Sequence, residues 1–194
     1  MNSTMKRPVR LLAPQVPLPV LKRISLLAIA GALVAGGYGI VHDQMTYTLS
    51  PEYFTKMKFG QFAWADLHLA HRVFVAEIGF LATWWAGFAG TWFFARLAAS
   101  RQPAADLTSL TIRMWIIMLF GAVTGAAAGF RFGPTYYLRP GEWADAIQSL
   151  GIEDTWAFAQ VGGIHLGGYL GALVAWIAAM FRVVVVDQTK TARL

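Results

Sequence analysis

Four stretches of this chain, residues 24–41, 73–97, 110–130 and 158–180, are apolar over lengths that suit a bilayer crossing, for which a helix needs roughly 17–25 residues. Lipid offers the backbone no hydrogen-bond partners, so a single segment that crosses alone must be helical. The composition agrees, with 57% hydrophobic and only 13% charged residues, against about 25% charged in soluble domains. The expected fold is an all-α, four-span transmembrane helix bundle. The first stretch has a long basic preamble and an apolar run beyond the roughly 7–15 residues of a signal peptide, so it reads as an uncleaved span.

Basic residues in short loops set the orientation of such a bundle. With the N-terminus inside, the inner segments hold Lys6, Arg7, Arg10, Lys22, Arg23, Arg96, Arg101, Arg113, Arg182, Lys190 and Arg193, against the acids Asp106 and Asp187. The outer segments hold most of the acids. The chain therefore divides into a basic, proline-rich cytoplasmic arm (1–23), one transmembrane domain (24–182) and a cytoplasmic tail (183–194). The net charge of +6 is a topology signal and gives no reason to expect nucleic acid as a partner. The arm carries Pro8, Pro14, Pro17 and Pro19, which favours an extended backbone there. With no cysteine in the chain, thiolate metal sites and a cysteine nucleophile are excluded.

The segment HDQMTYTLSPEYFTKMKFGQF, His42 to Phe62, interrupts this apolar background. Ser50-Pro51-Glu52 has the residues of a helix start, and Tyr53, Phe54 and Met57 follow at helical spacing with Lys56 and Lys58 between them. Trp143, Ala146, Ile147 and Leu150 form a similar pattern, ending at Gly151. Both read as short amphipathic helices lying at the extracytoplasmic interface. The block resembles one in a family of small uncharacterised bacterial inner-membrane proteins. The resemblance covers the first two spans, implies a bacterial inner membrane and implies no activity.

Ionisable groups at membrane depth are rare and point to function. His42 stands at the end of the first span, His68 and His71 at the entry to the second, Glu77 within the second, Arg131 at the end of the third, and Gln160 and His165 in the fourth. Three readings are open. Glu77 pairs with Arg131 or His165 in a structural cluster; or His42, His68, His71 and His165 bind a metal or haem; or Glu77 and His165 form part of a proton or small-ion path. The inner half offers only Arg113 to continue such a path.

The third span carries Gly121, Gly125 and Gly129, and the fourth Gly163, Gly167 and Gly171. Small residues every four positions let helices pack closely in lipid, so these spans are expected to pack on each other, or on a second copy of the chain. Glycines beside His165 would also admit the flat face of a haem or other pigment. In the second span Trp84, Phe88 and Trp92 share one face, and Trp84 and Trp85 lie too deep for an interfacial belt. They call for a helix, a lipid, a pigment or another subunit.

No phosphate loop, dinucleotide fingerprint or nucleophile elbow is present, and no sequence repeat relates the halves. These absences weigh against an enzyme. The leading expectation is a non-enzymatic accessory or scaffold subunit of a larger inner-membrane complex, with an energy-transducing complex among the candidates and other membrane subunits or a second copy as partners. The alternatives are a small haem- or metal-binding redox protein and an ion conductor.

Overall fold

The computed structural model describes residues 16–101 and 106–191, with side chains through 185. Most of the arm, the connection 102–105 and the last three residues lie outside the described residues. Four long helices form the bundle: α1 (Leu18–Leu49), α4 (His71–Arg101), α5 (Leu107–Tyr137) and α7 (Thr155–Thr191). One end is capped by short elements. These are α2 (Pro51–Tyr53), a π-helical turn (Phe54–Lys58), α3 (Phe59–Gln61), a 3-10 turn (Ala63–Ala65) and α6 (Glu142–Ser149).

Every span runs further than its apolar stretch. Helix α1 begins at Leu18 rather than 24, because Pro17 precedes the helix and Pro19 falls in its first turn, where the missing N–H costs nothing. At the other end it continues through Leu49, two turns past 41, so His42 lies inside the helix. Helix α5 passes 130 and tolerates Pro134 within its last turn. Helix α7 continues to Thr191, so most of the expected tail, 183–191, is helical.

The bundle is built from two antiparallel hairpins, α1 with α4 and α5 with α7. Apolar burial drives little association in lipid; close backbone approach does. In the second hairpin a Cβ at Gly121 would meet the carbonyl of Gly171, one at Gly125 that of Gly167, and one at Gly129 that of Gly163. The two glycine series therefore face each other within one chain. The first hairpin uses the same device at wider spacing. Gly39 sits against Gly79 and Gly31 against Gly87, again with backbone carbonyls where a Cβ would go.

Fewer contacts join the hairpins. Near the termini, Trp115 Nε1 donates to Thr91 Oγ1 at 2.8 Å, Trp176 Nε1 donates to the Gly90 carbonyl at 3.0 Å, and Arg23 donates to Thr108 at 2.8 Å. An apolar cluster of Ile24, Leu27, Phe94, Ala98, Leu107, Met114 and Val183 closes this end. At the capped end the join is aromatic and polar.

Candidate functional site

Helix α1 buries Ala32, Gly36, Gly39, Asp43 and Thr46, steps of four and three that trace one stripe along it. The stripe starts small and apolar and becomes polar only in its last two turns. Asp43 is 3% exposed, so a carboxylate sits where the rest of the helix presents glycine and alanine. Opposite it, α7 presents His165, also 3% exposed. Its Nε2 lies 3.9 Å from Asp43 Oδ1 and 3.4 Å from Thr46 Oγ1.

The Thr46 hydroxyl also contacts the carbonyls of His42 at 3.1 Å and Asp43 at 3.3 Å. It has one proton. Donated back to α1, that proton leaves Thr46 an acceptor toward His165, whose Nε2 then carries hydrogen. Nδ1 of His165 is left as a bare lone pair, buried and without a partner, as is Asp43 Oδ2. Buried polar atoms are nearly always satisfied, so two orphans in one cluster mark it out.

His42 completes the group. Its ring meets His165 edge to face, with centroids 4.8 Å apart, and its Nδ1 is hydrogen-bonded to the Tyr38 hydroxyl at 3.2 Å. One nitrogen of each imidazole and one carboxylate oxygen of Asp43 lie within 4.8 Å of one another. Around a tetrahedral ion with bonds of about 2.0–2.2 Å, neighbouring donors stand roughly 3.3–3.6 Å apart. The set thus closes on an ion by side-chain adjustments of about an ångström.

The cap supplies the walls. Tyr53 stacks on His165 at 5.0 Å and 10°, and Phe54, fully buried, meets it at 6.2 Å. Phe54 and Lys58 are four residues apart, so they share a face of the helical turn, and Lys58 turns inward with Phe54. Lys58, a polar residue of the short amphipathic pattern, is thus only 9% exposed. Burial pushes its ammonium pKa down, opposed in part by the negative charge of Asp43. Burial likewise pushes the Tyr53 phenol up, out of its ordinary range.

Ser50 does not cap α2 with its side chain; its hydroxyl is buried without a partner. Glu52 instead reaches the start of α7, accepting from the amides of Glu153 at 3.0 Å and Asp154 at 2.9 Å. It also pairs with Lys56 at 2.6 Å. These bonds hold its carboxyl pKa down at about 2. Lys56 donates to the carbonyl of Gly151, so this pair pins the cap to α7 below the site.

Of the residues expected at the site, His42 and His165 come together; the others do not. His68 lies in an exposed turn at φ 57°, its amide donating to Asp66 Oδ1 at 2.7 Å. His71 is exposed and touches Phe59. Arg131 is exposed, its guanidinium 5.6 Å from the Phe132 ring. Among the described residues Glu77 makes no ion pair with Arg131 or His165, and its Oε2 is buried without a partner. Gln160, half-buried, makes no hydrogen bond to the histidines.

No hydrogen-bonded chain links Glu77 to His165 among the described residues, and the apolar cluster closes the far half. Gly163 and Gly167, beside His165, pack backbone to backbone on Gly129 and Gly125 of α5. Comparison with known proteins yields no match among family models, curated proteins or solved structures.

Proposed function

We propose that this chain is a small multi-pass protein of a bacterial inner membrane that binds a divalent transition-metal ion through His42, Asp43 and His165. The observation that carries this reading is the convergence of these three donors in a buried cluster where His165 Nδ1 and Asp43 Oδ2 lack partners. Two imidazoles and one carboxylate suit zinc, ferrous iron or manganese, and hard oxygen-only cations such as calcium far less. The Tyr38 hydroxyl fixes the His42 ring through its second nitrogen, the usual way a ligating histidine is oriented.

A second reading, an accessory subunit of a larger membrane complex, has its own support. Trp84, Trp85, Phe88 and Phe93 are large exposed aromatics on α4, and an apolar groove of about 660 Å³ follows the glycine face of α5 and α7. One experiment separates the two. The protein is solubilised mildly from its own membrane, and metal content and native mass are measured on the same sample. Stoichiometric metal at the mass of the chain alone supports the metal reading. A metal-free chain that takes up no added zinc, iron or manganese, and runs with other polypeptides, leaves the subunit reading in its place.

A further inference from the structure

Tyr38, His42 and Thr46 stand at successive i, i+4 positions on α1. Besides facing the metal site, they line a second feature, a groove of about 490 Å³ between α1 and α5. Its walls are apolar: Val41, Met45 and Leu49 on α1, and Leu119, Val123 and Phe130 on α5. These walls are open to the surroundings, with Val41 60%, Met45 69% and Val123 54% exposed. They belong to membrane-spanning helices, so the groove opens sideways into lipid. From Tyr38 to Leu49 it runs about 16 Å at the helical rise.

A hydrophobic slot needs no polar residues to hold an acyl chain. This one has a stripe of three, and polar side chains at membrane depth are costly without partners. None of the three carries a fixed charge, and among the described residues His42 has a hydrogen bond only on Nδ1. The lining contains no lysine or arginine, so it offers nothing to a phosphate or free carboxylate head. What it does offer is a neutral hydrogen-bond donor, the Tyr38 hydroxyl, beside a thioether and an aromatic ring, Met45 and Phe130, in a space within the ~300–1,000 Å³ usual for small-molecule sites.

We propose that this groove binds a membrane quinone. One ring carbonyl accepts a hydrogen bond from the Tyr38 hydroxyl, whose oxygen accepts from His42 Nδ1–H, so that His42 Nε2 stays available to the metal, and the isoprenoid chain lies along Val123, Leu119 and the bilayer. An uncharged, flat head with acceptor oxygens and a long apolar tail matches each wall of the slot. The groove lies between two long helices and does not depend on the metal site being filled.

The test uses the full chain in nanodiscs of dioleoylphosphatidylcholine, with an azido-benzoquinone bearing a decyl tail as photolabel. Labelling is expected on residues 38–49 and 119–130, competed by decyl-benzoquinone and not by dioleoylglycerol. Ala127, exposed on the groove wall, has room for a larger side chain. Ala127→Phe is expected to cut labelling at least tenfold while thermal unfolding and metal content stay as in the parent. Tyr38→Phe is expected to weaken labelling several-fold. Labelling spread over the lipid-facing surface, equal competition by dioleoylglycerol, or undiminished labelling of Ala127→Phe would each overturn the proposal. Metal content is measured separately, so a protein that takes the quinone without metal sinks only the metal reading.

Discussion

The imidazoles of His42 and His165 meet edge to face, centroids 4.8 Å apart, and this contact joins the polar ends of the two hairpins together with those of Asp43 and Thr46 to His165. If they ligate a metal with Asp43, the histidines divide sharply. His165→Ala and His42→Ala are expected to weaken zinc binding by well over 100-fold, beyond the roughly 10–100-fold that losing an outer-shell partner costs. Tyr38→Phe should fall within that outer-shell range. His68→Ala and His71→Ala, both exposed, should leave affinity unchanged. Competition titration with a chromophoric chelator reads all five, and equal loss across them would mean the metal binds adventitiously.

Asp43 and Lys58 form the second test. Both are buried, and the negative charge of Asp43 favours the Lys58 ammonium against the effect of its burial, so removing either leaves the charge of the other less compensated. Asp43→Asn and Lys58→Met are each expected to lower thermal stability more than the double variant does. Because the Lys58 pKa lies below its unfolded value of about 10.4, the unfolded chain binds more protons between the two values. Stability therefore rises as pH climbs through that window. Lys58→Met should flatten that rise, and additive single and double effects would show the pair is not coupled.

Much of this site was present in the sequence in a form that span-by-span reading obscures. Ending the first span at 41 put Asp43 among loop acids and left His42 at a helix end. The steps from Ala32 through Gly36 and Gly39 to Asp43 and Thr46 show that the buried stripe continues; only the switch from apolar to polar residues conceals it. Lys58 was legible too, four residues after Phe54. His165 was identified as a deep polar residue from its apolar neighbours, with His42 among its candidate co-ligands. Asp43 was not, and neither were His68 and His71 set apart, because pairing across hairpins depends on how α1 and α7 cross, and no local pattern encodes that. The glycines divide in the same way. Spacing of four in α5 and α7 announced their contact, whereas Gly31, Gly39, Gly79 and Gly87, eight apart, fell outside the motif.

That second set makes a direct prediction. Gly39→Leu should disturb the first hairpin as severely as Gly125→Leu or Gly167→Leu disturbs the second, since each new side chain meets backbone that cannot move aside. Overpacking costs about 1–3 kcal/mol even where side chains can adjust, and more is expected here. Gly37→Leu is the control, with open space around it. Thermal unfolding in detergent should rank Gly37→Leu near the parent and the other three far below. If Gly39→Leu matched Gly37→Leu, the α1–α4 contact would be looser than described.

Glu52 gives a pH signature outside the membrane. Its folded pKa of about 2 lies under the ordinary 4.5, so its contribution is fully present above 4.5 and fades as pH falls toward 2. Its side chain is 20% exposed and lies in the water-facing cap, where solvent screening keeps the effect modest. Glu52→Gln should speed amide exchange at Glu153 and Asp154 at pH 7, and the gap from the parent should close as the pH is lowered through 3. A gap that stayed constant with pH would assign the effect to packing instead of charge.

Orientation is the last test, and the lack of cysteine makes it clean. The capped end carries Glu52, Asp66, Glu142, Asp145, Glu153 and Asp154, while Lys22, Arg23, Arg96, Arg101 and Arg182 sit toward the termini. Basic residues favour the cytoplasmic side, which puts the cap, and with it the His42–His165 site, in the outer half of the membrane. Gly60 has open space around it and Gln148 is exposed at the cap, as Ser100 is at the opposite end. Single variants Gly60→Cys and Gln148→Cys should react with a membrane-impermeant maleimide in intact cells from which the outer membrane has been stripped. Ser100→Cys should react only after permeabilisation. The reverse pattern would move the site to the cytoplasmic half, where a metal ion would be drawn from a different pool and bound in competition with cytosolic thiols.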